Sequence, residues 1–140
     1  MHLEKQFDVK RPRADAIAVI ARNDTLLRLF PDTRTEIVAE EGTRRTTRST
    51  YTALGREGIA TFHFDFRPDG DVVFEKVCDG NVWRQLRGTL SFHERGGGTR
   101  VRIEMDGRTK PLVPEFTIKG AMRDQIDQMA RALRERLEED

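Results

Sequence analysis

With 140 residues, 36% hydrophobic and 35% charged, the chain suits one domain around one core, and its eight phenylalanines exclude global disorder. A formal net charge of +1, with arginines scattered among nearly as many acids, lacks the basic excess of a nucleic-acid binder. The single cysteine, Cys78, excludes an internal disulfide and a zinc cluster, and no segment approaches the roughly 20 apolar residues of a membrane span. Met1 to Gln6 carries no apolar run of the signal-peptide kind, so the expected location is the cytoplasm.

Leu3 to Lys10 alternates: Leu3, Lys5, Phe7 and Val9 against Glu4, Gln6, Asp8 and Lys10. That pattern predicts a first strand, ended at Arg11-Pro12 because proline removes a ladder donor. Two short helices follow. Ala14, Ile17, Ala18 and Ala21 stand at helical spacing, and Asn23-Asp24 caps a second helix over Thr25 to Phe30, stopped by Pro31. From Asp32 to Thr109 the chain reads as six strands: Thr35 to Glu41, Thr43 to Leu54, Gly58 to Arg67, Asp71 to Cys78, Val82 to Glu94 and Thr99 to Met105. The turn signals between them are Gly55, Pro68-Asp69-Gly70, Asp79-Gly80-Asn81, Gly96-Gly97-Gly98 and Asp106-Gly107. Strands joined by tight turns make an antiparallel meander.

The last segment is a long amphipathic helix. Pro114-Glu115 is a helix start, and Ile118, Met122, Ile126, Met129, Leu133 and Leu137 fall on one stripe. Asp124, Asp127, Arg131, Arg134, Glu135 and Glu138 cover the other side. Gly120, early in this helix, reads as a point of close packing on a neighbouring strand or, alternatively, as a thin spot that admits a ligand or lets the helix bend.

The order of strand, two short helices, six-strand meander and long helix resembles the START-like (SRPBCC) superfamily, the helix-grip group. The resemblance is carried by Leu29-Phe30-Pro31, Arg87-Gly88-Thr89-Leu90-Ser91-Phe92, Gly98-Thr99-Arg100-Val101, and Leu112-Val113-Pro114 before the helix. It covers essentially the whole chain, residues 1–140 as one domain. It implies an α+β fold in which a curved antiparallel seven-stranded sheet wraps around the C-terminal helix. It also implies an internal cavity that relatives use to carry lipids or hormones, or to cyclise and dehydrate polyketides.

Strand alternation assigns faces. Phe62, Phe64 and Phe66 share one side of their strand, with Thr61, His63, Asp65 and Arg67 on the other. Leu86, Leu90 and Phe92 share a face, with Arg84 in phase, and Val101, Ile103 and Met105 share another. Thr43 to Thr52 is polar on both faces. If its odd-numbered face points inward, Thr47, Ser49 and Tyr51 become anchors for a head group. The expected pocket therefore has Phe62, Phe64, Leu90, Met122, Ile126 and Met129 as an apolar wall, with Tyr51 and Arg84 as its polar end. Arg44, Arg45 and Arg48 could form a phosphate patch, but Glu40, Glu41 and Glu57 flank them.

Catalytic and metal motifs are missing. His63 and Asp65 could form an acid/base pair, yet their register puts them on the solvent side. His2 and His93 have no evident partner, and no ligand spacing, phosphate loop or nucleophile elbow is present, so no metal or cofactor is expected. The function read from the chain is binding or carriage of an apolar or amphipathic small molecule (lipid, quinone or polyketide-like). The alternatives are a cyclase/dehydratase-type enzyme using the same cavity, or a surface-acting interaction protein of the ribosome-associated type. The position of His63 and Asp65 separates the first two.

Overall fold

The computed structural model describes residues 1–31, 33–53 and 55–139. Asp32 and Leu54, at the ends of expected elements, and Asp140 lie outside the described residues. The element order is β1 (His2–Val9), α1 (Arg13–Ile20), α2 (Asn23–Leu27), β2 (Arg34–Glu41), β3 (Arg44–Ala53) and β4 (Arg56–Phe66). It continues with β5 (Val72–Lys76), β6 (Trp83–Arg95), β7 (Gly98–Thr109), a 3-10 turn (Glu115–Thr117) and α3 (Lys119–Glu138). The seven strands form one antiparallel sheet in the order β1-β7-β6-β5-β4-β3-β2. The first strand pairs with the last, and α1 and α2 carry the chain to the opposite edge. This is the expected helix-grip α+β fold.

Local chemistry sets the boundaries. Gly96 and Gly97 form the two-residue loop between Arg95 and Gly98, with φ of 57° and 83°. Two positive φ values in a two-residue hairpin loop define the turn whose twist matches the strands, and glycine takes it without strain. Asp106-Gly107, expected as a turn, instead lies inside β7. A Cβ at Gly107 would sit 2.6 Å from the Trp83 ring, so glycine there admits the tryptophan. α2 begins two residues before the expected Thr25 and ends at Leu27, leaving Leu29 and Phe30 to pack into the core from an irregular segment. Pro114-Glu115 starts the 3-10 turn, and α3 proper begins after Ile118.

α3 buries Met122, Ile126, Met129, Leu133 and Leu137 of the stripe that its periodicity predicts, together with Ala130, while Ile118 stands just before the helix and is half-buried. Each large side chain withdrawn from water contributes about 1.5–3 kcal/mol before ordering costs. The helix backbone lies close to β1, β7 and α1. Its C-terminal carbonyls, which have no partner within the helix, are capped by Arg11: Nε donates to Leu137 O at 2.9 Å, and a second guanidinium nitrogen donates to Glu139 O. Gly120 is exposed, and a Cβ there would meet nothing within 4 Å. The expected close packing at this glycine is therefore corrected: Gly120 faces away from the strands, while Met122 in the same turn packs into the core.

Candidate functional site

The concave face of the sheet is built by register. β3 pairs with β4 so that Arg45 opposes Phe64, Thr47 opposes Phe62, Ser49 opposes Ala60 and Tyr51 opposes Gly58. Opposed residues in an antiparallel pair share a face, so Thr47, Ser49 and Tyr51 point to the same side as the phenylalanines. On β2, Thr35 opposes Ser49 and Ile37 opposes Thr47, which extends that face to the sheet edge.

Two kinds of surface meet there. Phe62, Phe64, Leu90, Met122, Ile126 and Met129 all lie in one buried cluster, none more than 3% exposed. Phe30 stacks on Phe62 with ring centroids 5.3 Å apart, and Phe64 and Phe74 sit at 6.2 and 6.4 Å from it. Beside this wall, β2 and β3 present hydroxyls. Thr33 Oγ1 donates to Phe30 O at 2.6 Å, Thr33 and Thr35 lie 3.2 Å apart, and Thr35 and Ser49 lie 2.8 Å apart. Thr47 is 1% exposed, and its hydroxyl has no hydrogen-bond partner among the described residues. Tyr51 stands at the rim, 40% exposed, with its ring where a Cβ on Gly58 would sit.

The other end of this face is closed. Arg45 reaches from β3 over the Phe66 ring at 4.2 Å, donates to Ala21 O and donates to Asn23 Oδ1 at 2.9 Å. Its guanidinium thus ties the sheet to the junction of α1 and α2, and is committed there.

Arg84 needs correction. It is exposed, because β6 shifts register between Trp83 and Gln85 and the extra residue breaks the alternation expected from Leu86. Trp83, packed against the core and over Gly107, takes the inward position instead. The sequence pattern also misses Phe30 and the hydroxyl run of Thr33 and Thr35. Only the pairing of β2 with β3 reveals that run.

His63 and Asp65 face outward, as their alternation predicts. A His63 ring nitrogen lies 2.8 Å from Thr46 Oγ1, and Asp65 accepts from Arg44 at 3.0 and 3.1 Å. Among the described residues, the buried polar side chains are Thr25, Thr46, Thr47, Ser49 and Thr99, and none is ionisable.

On the outer face of β1 and β7, His2 finds partners that its sequence neighbours do not announce. Its ring nitrogens lie 2.6 Å from Asp106 and 3.2 Å from Glu4, and these carboxylates hold the imidazole pKa above its ordinary value. Glu4, Glu104 and His2 come close enough to hold a cation. Arg102 already bonds both glutamates, so the group is a satisfied ion network. Surface concavities occur elsewhere: about 250 Å³ lined by Met1, Gln85, Arg87 and Arg108, and about 660 Å³ lined by Arg13, Asp69, Phe92 and His93. Neither lies between sheet and helix.

The family model described as polyketide cyclase / dehydrase and lipid transport matches residues 1–138. Several solved structures share the fold. The Zhui aromatase/cyclase of a Streptomyces species has 16% identity and a TM-score of 0.83, over 99% of this chain and 93% of that one. A START superfamily protein of Mycobacterium smegmatis has 15% identity and a TM-score of 0.76, over 98% and 97%. A STAR-related lipid transfer protein of Xanthomonas axonopodis has 17% identity and a TM-score of 0.67, over 99% and 86%. No curated protein matches the chain in sequence. No helix of the described residues is long and apolar enough to cross a membrane.

Proposed function

The chain belongs to the polyketide cyclase/dehydrase and lipid-transport family, and from that premise we propose that it binds or carries an apolar or amphipathic small molecule between the sheet and α3. Phe62, Phe64, Leu90, Met122, Ile126 and Met129 are the proposed apolar wall, with Tyr51 at the rim. The observation that carries this reading is the division of one concave face into an aromatic wall and a hydroxyl-bearing wing. Small-ligand sites have this character: apolar area supplies affinity and a few polar groups fix orientation. Methionines at 122 and 129 suit a wall that repacks around a guest.

The aromatase/cyclase likeness supports an enzyme as an alternative. Acid/base catalysis needs an ionisable group within reach of the substrate. The outward position of His63 and Asp65, and an interior whose buried polar groups are hydroxyls, favour binding over that chemistry. The surface-acting reading has one observation of its own. Leu112 and Phe116, in the connection from β7 to α3, are 96% and 82% exposed, while the interior side chains pack against one another.

The test uses the neutral fluorophore N-phenyl-1-naphthylamine and the variant Met122→Trp. Under the binding proposal, wild type takes up the probe saturably. The variant then keeps its stability within about 1 kcal/mol and loses uptake, because indole fills the guest's space. A wild type that never takes up the probe, with a variant destabilised by about 1–3 kcal/mol from overpacking a solid core, overturns the proposal in favour of surface action.

A further inference from the structure

The hydroxyl wing has a direction. Thr33 Oγ1 donates its proton to the carbonyl of Phe30, which can only accept. The oxygen of Thr33 therefore accepts from Thr35, and the oxygen of Thr35 accepts from Ser49. The run of donors ends on the main chain and leaves Ser49 Oγ with lone pairs but no free proton. Two residues away on the same face, Thr47 keeps both its proton and its lone pairs unused among the described residues, although it is 1% exposed. Residues i and i+2 on a strand stand about 6.6 Å apart. With the two side chains leaning toward each other by about 0.3 Å each, an oxygen seated between their hydroxyls comes within hydrogen-bond reach of both.

We infer that Thr47 and Ser49 form the polar anchor of the interior site, and that they select a ligand bearing a neutral hydroxyl, an alcohol or phenol, on an apolar body. This rests on the binding reading above. A ligand hydroxyl donates to Ser49 and accepts from Thr47, which satisfies both. A ketone oxygen can only accept, so it pairs with Thr47 and leaves Ser49 facing a second acceptor. A carboxylate or phosphate fits worst. Its charge would lie among hydroxyls and phenylalanines, and the arginine opposite Phe64, Arg45, is committed to Ala21, Asn23 and Phe66, while Arg56 stands exposed at the far end of β4. Burying an uncompensated anion is strongly unfavourable. An unpartnered buried hydroxyl destabilises the empty protein, so its retention is explained by a guest that completes it.

The experiment compares four probes sharing one ring system, at neutral pH: naphthalene, 2-naphthol, 2-acetylnaphthalene and 2-naphthoate. They are titrated into wild type, Thr47→Val and Thr47→Ser. The expected result for wild type is tightest binding of 2-naphthol and weakest binding of 2-naphthoate. Thr47→Val, which keeps the shape and removes the hydroxyl, should weaken 2-naphthol about 3- to 10-fold, leave naphthalene unchanged and unfold at a midpoint no lower than wild type. Thr47→Ser should retain the preference. Failure of all four probes to bind would overturn the binding reading itself. Binding of naphthalene and 2-naphthol with equal affinity, or a Thr47→Val variant that keeps the 2-naphthol preference, would overturn this inference alone and leave the hydroxyl to an ordered water.

Discussion

Phe62 is where the packing of this interior can be measured. Its ring is 3% exposed, stacks on Phe30 at 5.3 Å with an interplanar angle of 27°, and lies 6.2 and 6.4 Å from Phe64 and Phe74. Truncating it in Phe62→Ala removes a transfer contribution of about 1.5–3 kcal/mol. It also leaves a hole bounded by rings on paired strands, which cannot collapse without moving the sheet. The expected total loss is about 3–5 kcal/mol. Of this, about 0.5–1.5 kcal/mol belongs to the stack with Phe30 and should appear as the coupling in a double-mutant cycle with Phe30→Ala. Urea denaturation followed by tryptophan fluorescence is the assay, since Trp83 is the one tryptophan in the sequence and packs against the same core. With a urea dependence of about 2 kcal/mol per molar, the midpoint should fall by about 1.5–2.5 M. A loss below about 1 kcal/mol would refute the account. It would mean that Phe30, Phe64 and Phe74 carry no packing load against Phe62.

Gly88→Ala should cost about 1–3 kcal/mol, because a Cβ there would lie 2.3 Å from the Phe74 ring and 2.5 Å from the Glu104 carbonyl oxygen on β7; a neutral result in urea denaturation would show that the two strands can part freely. Glu139 has its carboxyl pKa held below the ordinary value, first by its hydrogen bond to Arg28 and also by Arg136. A lowered folded-state pKa gives stability that is present above the unfolded value, near 4.5, and is lost as pH falls through the folded one. The advantage of wild type over Glu139→Gln should therefore shrink between pH 5 and pH 3, and thermal unfolding across that range that keeps the gap constant would exclude the ion pairs as its source.

Period and turn chemistry in the sequence were enough to order the strands and the long helix, and the family resemblance supplied the way the sheet wraps that helix. The stripe Met122, Ile126, Met129, Leu133 and Leu137 needs only the 3.6-residue repeat to become the buried face of α3. The alternation of Phe62 and Phe64 with His63 and Asp65 puts rings inside and ionisable groups outside, because a strand turns successive side chains to opposite faces. What tertiary structure alone decided are the places where one residue's role depends on another far along the chain. Arg84 leaves the interior because β6 gains a residue against β7, and Trp83 fills its place because Gly107 leaves room for the ring. His2 acquires Asp106 only through the pairing of the first strand with the last. β3, polar on both faces in sequence, shows no inner side until Phe62 and Thr35 are found opposite Thr47 and Ser49. Local periodicity encodes which face a residue occupies, whereas register, bulges and the direction of a hydroxyl chain are settled by pairings that no short window contains.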